Sequence, residues 1–206
     1  MTVFTRTTAH SRVYLAGPEV FLSNSRDVGV AKKALCATHG FEGVYPADNE
    51  VPTTPVPASG YAIARGNEAL IETCHLVIAN VTPFRGPSAD VGTAYEIGFA
   101  RGRGLPVFAY STVAQNFTTR TAHAVAPIQD PDGILRDPNG LMIETFGLTD
   151  NLMLDYAVIG SGATIVVPAE TGSLGADGSV PSGDHYGRLD EFERCLALAV
   201  DVLRAS

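Results

Sequence analysis

Two acidic residues, Asp90 and Glu96, have the residue type and spacing for acid–base or nucleophilic chemistry at one site. Asp90 stands where a helix N-cap is expected, and Glu96 follows six residues later in a stretch that is otherwise apolar or small. Six helical steps turn by about 600°, so the two residues would not share a face if both were helical. A cap residue lies outside the helical register, however, and its side chain can fold over the helix start.

A pair of carboxylates facing one crevice suits glycosyl transfer. One attacks the sugar carbon while the other protonates the leaving group, and in retaining chemistry the two are about 5 Å apart. Helical side chains lean toward the N-terminus, so Glu96 would lie over Gly92 and Thr93. Glycine there costs about 1 kcal/mol relative to alanine, which is explained if a ligand needs the open space. The residues alone also allow the alternative that Asp90 is a plain cap and Glu96 a solvated helix residue.

Other kinds of site find no support in the sequence. The five histidines are scattered, and no histidine or cysteine pair has the C-x-x-C or H-x-x-x-H spacing of a metal site. The sequence also lacks the G-x-x-x-x-G-K-[ST] phosphate loop and the G-x-S-x-G elbow of serine hydrolases. We therefore predict no metal ligands.

Length, charge and cysteine content limit the class of protein. The 206 residues suit one domain spanning 1–206, and no apolar run is long enough to cross a bilayer. Acidic residues outnumber basic ones by 22 to 14, the wrong sign for binding a phosphate backbone. The N-terminus has no secretion pattern, and the three cysteines are far apart, as expected for reduced thiols. We expect a cytoplasmic protein that binds neither nucleic acid nor membrane.

Strands and helices alternate along the first half of the chain. The strands are predicted at 12–16, 43–45, 75–79 and 105–110, and the helices at 25–38, 61–74 and 90–101. The later pattern is harder to read, with helices near 141–146, 149–158 and 188–204, a fifth strand at 163–167, and loops at 49–60 and 170–187. Such alternation predicts a parallel sheet with helices on both faces, and a ligand site at the carboxyl ends of its strands.

Three motifs in this order resemble those of the nucleoside 2-deoxyribosyltransferases. They are Y-L-A-G-P-E-V-F from Tyr14, A-D-V-G-x-x-x-E-x-G within the segment 80–100, and D-N-L-M from Asp150. The resemblance implies a flavodoxin-like (Rossmann-type) fold with a five-stranded parallel sheet. It also implies exchange of the base of 2′-deoxyribonucleosides through a covalent deoxyribosyl–glutamate, with retention, in nucleoside salvage. The family uses no cofactor and no metal.

The resemblance further implies roles for individual residues. Glu96 matches the nucleophile, Asp90 the aspartate that binds the base and handles its proton, and Tyr14 the tyrosine that orients the glutamate. Asn80 falls where many members carry an aspartate facing the base, and its amide suits both purines and pyrimidines. The remaining substrate-binding positions are Gly17, Phe21, Phe84, Gly92, Asn151 and Met153.

The family resemblance also implies a homo-oligomer. Asn151 and Met153 match residues that reach into the neighbouring subunit's pocket, where the asparagine binds the sugar 5′-hydroxyl. The expected partners are therefore small 2′-deoxynucleosides, free nucleobases and further copies of the chain.

Two other functions stay open from the sequence. One is a nucleoside or nucleotide N-glycosidase on the same fold, in which water takes the sugar. Its phosphate-binding members would need a basic anchor, for which Arg85 is available, although Glu19 suits a phosphate poorly. The other is a nucleoside-binding module without catalysis.

Overall fold

The computed structural model describes residues 11–49, 54–169 and 183–205. The first part of the chain comprises β1 (Ser11–Ala16), α1 (Ser25–Thr38), β2 (Phe41–Val44), α2 (Pro57–Glu72), β3 (Leu76–Asn80), α3 (Val91–Gly102) and β4 (Val107–Tyr110). The second part comprises α4 (Phe117–Val125), β5 (Ile128–Gln129), β6 (Leu135–Arg136), α5 (Leu152–Ile159), β7 (Ile165–Val166), α6 (Gly183–Tyr186) and α7 (Asp190–Ala205).

Five strands form one parallel sheet in the order β2-β1-β3-β4-β7. This is the flavodoxin-like arrangement, in which the chain reverses direction across the sheet between β1 and β3. The register pairs Tyr14 with Val77 and Ala16 with Ala79, so β1 and β3 end at the same level. The predicted fold class is confirmed, and residues that follow β1 and β3 meet at one edge.

Alternation along the strands divides the core into two layers. Val13 and Leu15 of β1 pack with residues of α1 and α7, such as Cys36 and Phe192. Tyr14 and Ala16 point to the opposite face, where they pack with residues of α2, α3 and α5. Because successive strand side chains alternate, Tyr14 must lie on the face that carries α3.

Two predicted elements differ from the structure. Helix α2 begins at Pro57, inside the predicted loop, because proline fits the first helical turn, where its missing N–H has no partner to lose. The prediction of a helix near 141–146 is wrong. Leu141, Met142 and Phe146 are exposed, and Met142 forms an isolated antiparallel β-bridge with Arg136 of β6. These apolar residues bury no common face, so a helix there would gain little from packing.

Helix α4 and the antiparallel pair β5–β6 lie in the segment whose pattern was hard to read. The buried residue of α4 is Arg120, which is why the helix shows no apolar stripe in the sequence. The loop predicted at 170–187 falls mostly outside the described residues, and its end forms α6. None of the described helices combines the length and apolar character that crossing a membrane requires.

Candidate active site

Tyr14 and Glu96 meet between the sheet and α3. The Tyr14 hydroxyl donates a 2.6 Å hydrogen bond to Oε1 of Glu96, and both side chains are buried. Tyr14 reaches α3 because it lies on that face of β1, and Glu96 points inward from the same buried side of α3 as Thr93 and Ile97. The sequence assigned this pair to one site, and the structure brings it together.

A third residue, Asn67, binds the same carboxylate oxygen. Its Nδ2 donates to Oε1 of Glu96 at 3.2 Å from α2. Within the described ranges, Oε2 of Glu96 makes no hydrogen bond, so one oxygen is held by two donors and the other is available. Sequence reasoning missed Asn67, although it lies four residues before the fully buried Ile71 and hence on the same helix face.

Burial raises the pKa of Glu96 to about 7. The side chains of Tyr14 and Asn67 oppose this shift because they donate hydrogen bonds to the charged form, while the nearby charge of Asp90 adds to it. Burial and the same hydrogen bond raise the pKa of Tyr14, which keeps its hydroxyl protonated and able to donate. The site therefore holds a carboxyl group that changes protonation near neutral pH.

Asp90 caps the N-terminus of α3. Its Oδ2 accepts hydrogen bonds from the backbone nitrogen of Thr93 at 2.9 Å and from the hydroxyl of Thr93 at 3.2 Å. In the described part of the chain, Oδ1 has no hydrogen-bond partner, so this carboxylate also has one fixed and one available oxygen. A Cβ on Gly92 would lie 3.0 Å from Oδ2 of Asp90, so a larger residue there would crowd the cap.

Gly17 allows the end of β1 to approach Glu19 and Asn80 closely. A Cβ at this position would overlap Oε2 of Glu19 and lie 2.9 Å from Cβ of Asn80. Asn80 is fully buried here: its Nδ2 donates to Glu19 at 2.9 Å and its Oδ1 accepts from the backbone of Thr82 at 3.0 Å. Both ends of its amide therefore bind protein groups. Its predicted contact with the base stays a prediction.

Glu19 lies at the centre of a buried charged cluster next to the site. It forms an ion pair with Lys32 and accepts a 2.8 Å hydrogen bond from the hydroxyl of Tyr110. The ammonium group of Lys32 also lies over the rings of Tyr110 and Phe192, at 5.4 and 5.0 Å from their centroids. Sequence reasoning noted Glu19 only as unsuited to phosphate. In the structure its Oε1 takes these partners, while its Oε2 is buried and has no hydrogen-bond partner among the described residues.

Aromatic residues stand at the edge of the site. Phe21, after β1, stacks on Phe84, after β3, with a centroid distance of 5.2 Å. Tyr186 of α6 packs edge-on against Phe84 and donates a hydrogen bond to the carbonyl of Pro83. The guanidinium of Arg85 covers both phenylalanine rings. Two of the predicted substrate-binding residues, Phe21 and Phe84, thus form one surface.

The model of the nucleoside 2-deoxyribosyltransferase family matches residues 13–153. The chain belongs to this family. The match spans every residue that the sequence assigned to the site, from Tyr14 to Met153.

Individual proteins are also similar to this chain. An uncharacterized protein of Schizosaccharomyces pombe is 27% identical, over 75% of this chain and 80% of that one. The solved 2-desoxiribosyltransferase from Leishmania mexicana is 28% identical with a TM-score of 0.53, covering 70% of this chain and 85% of that one. The 2-deoxyribosyltransferase of Bacillus psychrosaccharolyticus is 17% identical with a TM-score of 0.44. The match covers 55% of this chain and 82% of that one.

Asn151 and Met153, at the start of α5, have no described contact with Tyr14 or Glu96. Asn151 caps α5 through a 3.0 Å bond from the backbone nitrogen of Met153, and its Nδ2 donates to Glu144 at 2.5 Å. Met153 is 64% exposed. Their predicted role in a neighbouring subunit stays a prediction.

The described residues contain no group of three or more histidine, cysteine or acidic side chains suited to a metal ion. Burial raises the pKa of Cys36 and Cys195 to about 12 and that of Cys74 to about 11, so these thiols are poor nucleophiles at neutral pH. The catalytic roles of Glu96 and Asp90 stay a prediction.

Proposed function

We propose that the protein is a nucleoside 2-deoxyribosyltransferase that exchanges the base of 2′-deoxyribonucleosides through a covalent intermediate on Glu96, with retention. The observation that carries the proposal is the state of Glu96. Its Oε1 is fixed by Tyr14 and Asn67, and its Oε2 has no described partner. A carboxylate held by one oxygen presents the other in a defined direction, as a nucleophile requires.

The first step transfers the sugar to the protein. Oε2 of Glu96 forms a bond to C1′ while the bond between C1′ and the base nitrogen breaks. The electron pair of that bond goes to the base, which takes a proton from Asp90. The deoxyribose lacks a 2′-hydroxyl, so positive charge develops at C1′ more readily and a carboxylate suffices.

The second step returns the sugar to another base. A nitrogen of the incoming base attacks C1′, the ester bond to Oε2 breaks, and the proton of the base passes to Asp90. Each step inverts C1′, so the two together retain its configuration. Before the first step and again as the ester bond breaks in the second, Tyr14 and Asn67 stabilise the charged carboxylate by donating to Oε1.

The oligomer is part of the proposal. Exposed apolar side chains lie on α5 and on α3, which packs next to it. They are Leu152, Met153, Tyr156 and Ile159 on α5, and Val91 and Tyr95 on α3. Exposed apolar clusters of this kind mark interaction sites. A second copy covering this surface would bring its Asn151 and Met153 toward the neighbouring site. Sedimentation of the wild type and of Tyr156→Glu tests this, and an unchanged monomer for both would reject it.

The experiment that tests the function supplies one 2′-deoxynucleoside with and without a second free base. Formation of the second deoxynucleoside, abolished by Glu96→Gln, is the expected result. Glu72→Gln is a matched control, because Glu72 is also a helical glutamate but is exposed and pairs with Arg103. Base release at an equal rate without an acceptor would instead indicate an N-glycosidase. Binding without any turnover would indicate a binding module.

A further inference from the structure

The carboxylate of Asp150 joins three segments of the chain. It is 1% exposed and accepts four hydrogen bonds, two on each oxygen. Oδ1 accepts from the hydroxyl of Ser88 at 2.5 Å and from the backbone nitrogen of Asn151 at 2.8 Å. Oδ2 accepts from the backbone nitrogen of Ala89 at 3.0 Å and from Arg120 at 3.1 Å.

Arg120, on α4, binds the same loop. Its side chain is 2% exposed and lies against Asp150, and its Nε donates a 2.7 Å bond to the carbonyl of Pro87. Together the guanidinium and the carboxylate bind three consecutive residues. The groups bound are the carbonyl of Pro87, the hydroxyl of Ser88 and the backbone nitrogen of Ala89. We call Asp150, Arg120 and residues 87–89 the loop clamp.

The loop clamp ends directly before Asp90. Because Ala89 is fixed through its backbone nitrogen, the position from which Asp90 starts is fixed as well. The cap bonds to Thr93 then set the direction of its carboxylate. Burying a charged pair costs free energy unless both partners are fully hydrogen-bonded. Here Asp150 accepts four hydrogen bonds, two of them from the loop residues Ser88 and Ala89 that directly precede Asp90.

We propose that Asp150 and Arg120 are positioning residues that hold Asp90 where it can give its proton to the departing base. This inference rests on the proposed function, in which Asp90 is the proton donor. It adds two residues that act through the backbone and need not touch the substrate. It also assigns a task to α4, which carries none of the three sequence motifs.

Departing bases that differ in their need for a proton can test the inference. When C1′–N breaks in a neutral deoxynucleoside, the electron pair stays on the base, which requires a proton. When the base has been methylated to a cation, at N7 of a purine or N3 of cytosine, the same electron pair neutralises it and no proton is needed. A defect confined to proton delivery therefore disappears with the methylated substrate, whereas a general loss of folded enzyme does not.

The experiment measures single-turnover base release from the best accepted 2′-deoxynucleoside and from its methylated cation. Asp150→Asn has the shape of the wild-type side chain but only one acceptor oxygen for four donors. We expect it to slow release of the neutral base by about 10- to 100-fold and release of the cationic base by less than about 3-fold. Asp90→Asn should show the same selectivity, and Arg120→Gln should follow Asp150→Asn.

Glu191→Gln is the control for burial. Glu191 is also a buried acidic residue, but it lies on α7, which packs on the opposite face of the sheet, and its described ion pair is with Arg188 at 4.0 Å. We expect it to affect both substrates in equal proportion. An equal loss on both substrates for Asp150→Asn, or no selectivity for Asp90→Asn, would overturn the inference. Failure of the wild type to exchange bases would overturn the proposed function instead.

Discussion

The hydroxyl of Tyr14 and Oε1 of Glu96 lie 2.6 Å apart although 82 residues separate them in the chain. The sheet makes this meeting possible, because Tyr14 occupies the face of β1 that α3 covers. A short bond from a hydroxyl to a carboxylate favours the charged form of the carboxylate. Tyr14 therefore both fixes the direction of Glu96 and opposes the effect of burial on its protonation.

Replacing Tyr14 should weaken the nucleophile. We expect Tyr14→Phe to lower the rate constant for base exchange by about 10- to 100-fold and to move its acid limb to higher pH, because a donor to the charged carboxylate is lost. Steady-state exchange rates across pH measure both effects. Tyr45→Phe is the control, since Tyr45 is also buried but donates to or accepts from Ser25 on the other side of the sheet. Equal effects of the two substitutions would contradict the assigned role.

The activity should depend on pH through Glu96. Attack on C1′ needs the ionised carboxylate, and its pKa is raised to about 7. We expect kcat/KM to fall as the pH drops through about 7, approaching a tenfold loss per pH unit below it. A profile that stays flat down to pH 5 would show that ionisation of Glu96 does not limit the reaction.

The same pKa predicts an effect on stability. Glu96 binds its proton more tightly in the folded state, at about 7 against an ordinary 4.5, so the wild type loses stability as the pH rises between these values. Glu96→Gln has no such titration. We expect the difference in free energy of unfolding, Glu96→Gln minus wild type, to increase by at most about 3 kcal/mol from pH 4.5 to pH 8. Urea denaturation at both pH values measures this, and a constant difference would argue against the raised pKa.

Two glycines should respond oppositely to alanine. At Gly17 a Cβ would overlap the buried carboxylate of Glu19, which Lys32 holds in place, so we expect a loss of about 1 to 3 kcal/mol. At Gly98 a Cβ meets nothing within 4 Å on the exposed side of α3, so alanine should stabilise the helix by about 0.5 to 1 kcal/mol. Thermal unfolding of both variants gives the comparison. Tolerance of Gly17→Ala would mean that the end of β1 can move away from Glu19.

The parts of the fold that bury apolar stripes could be predicted from the sequence. The strands β1, β3 and β4 and the helices α1 and α3 all lie close to their predicted ranges, because strand alternation and helix caps are local signals. Helix α4 could not be found in this way, since the side chain that it buries is Arg120. The helix near 141–146 was wrong because Leu141, Met142 and Phe146 face solvent and Ile143 alone of its apolar residues is buried.

The site residues that could be predicted are likewise those that stand in local sequence motifs. Tyr14, Asp90 and Glu96 stand in motifs that the family resemblance covers, and the structure brings Tyr14 and Glu96 into contact. Asn67 and the loop clamp depend on contacts between distant segments, such as the 62 residues between Ser88 and Asp150. No spacing in a single sequence encodes such contacts, so only the folded arrangement reveals them.

Trapping the sugar on the protein tests the central claim most directly. The protein is mixed with a 2′-deoxynucleoside in the absence of a second base, quenched in acid, and analysed as intact protein and as peptides by mass spectrometry. We predict a mass increase equal to one deoxyribosyl group, located on Glu96 and absent from Glu96→Gln. Base release that proceeds without any adduct, or an adduct on another residue, would contradict the account.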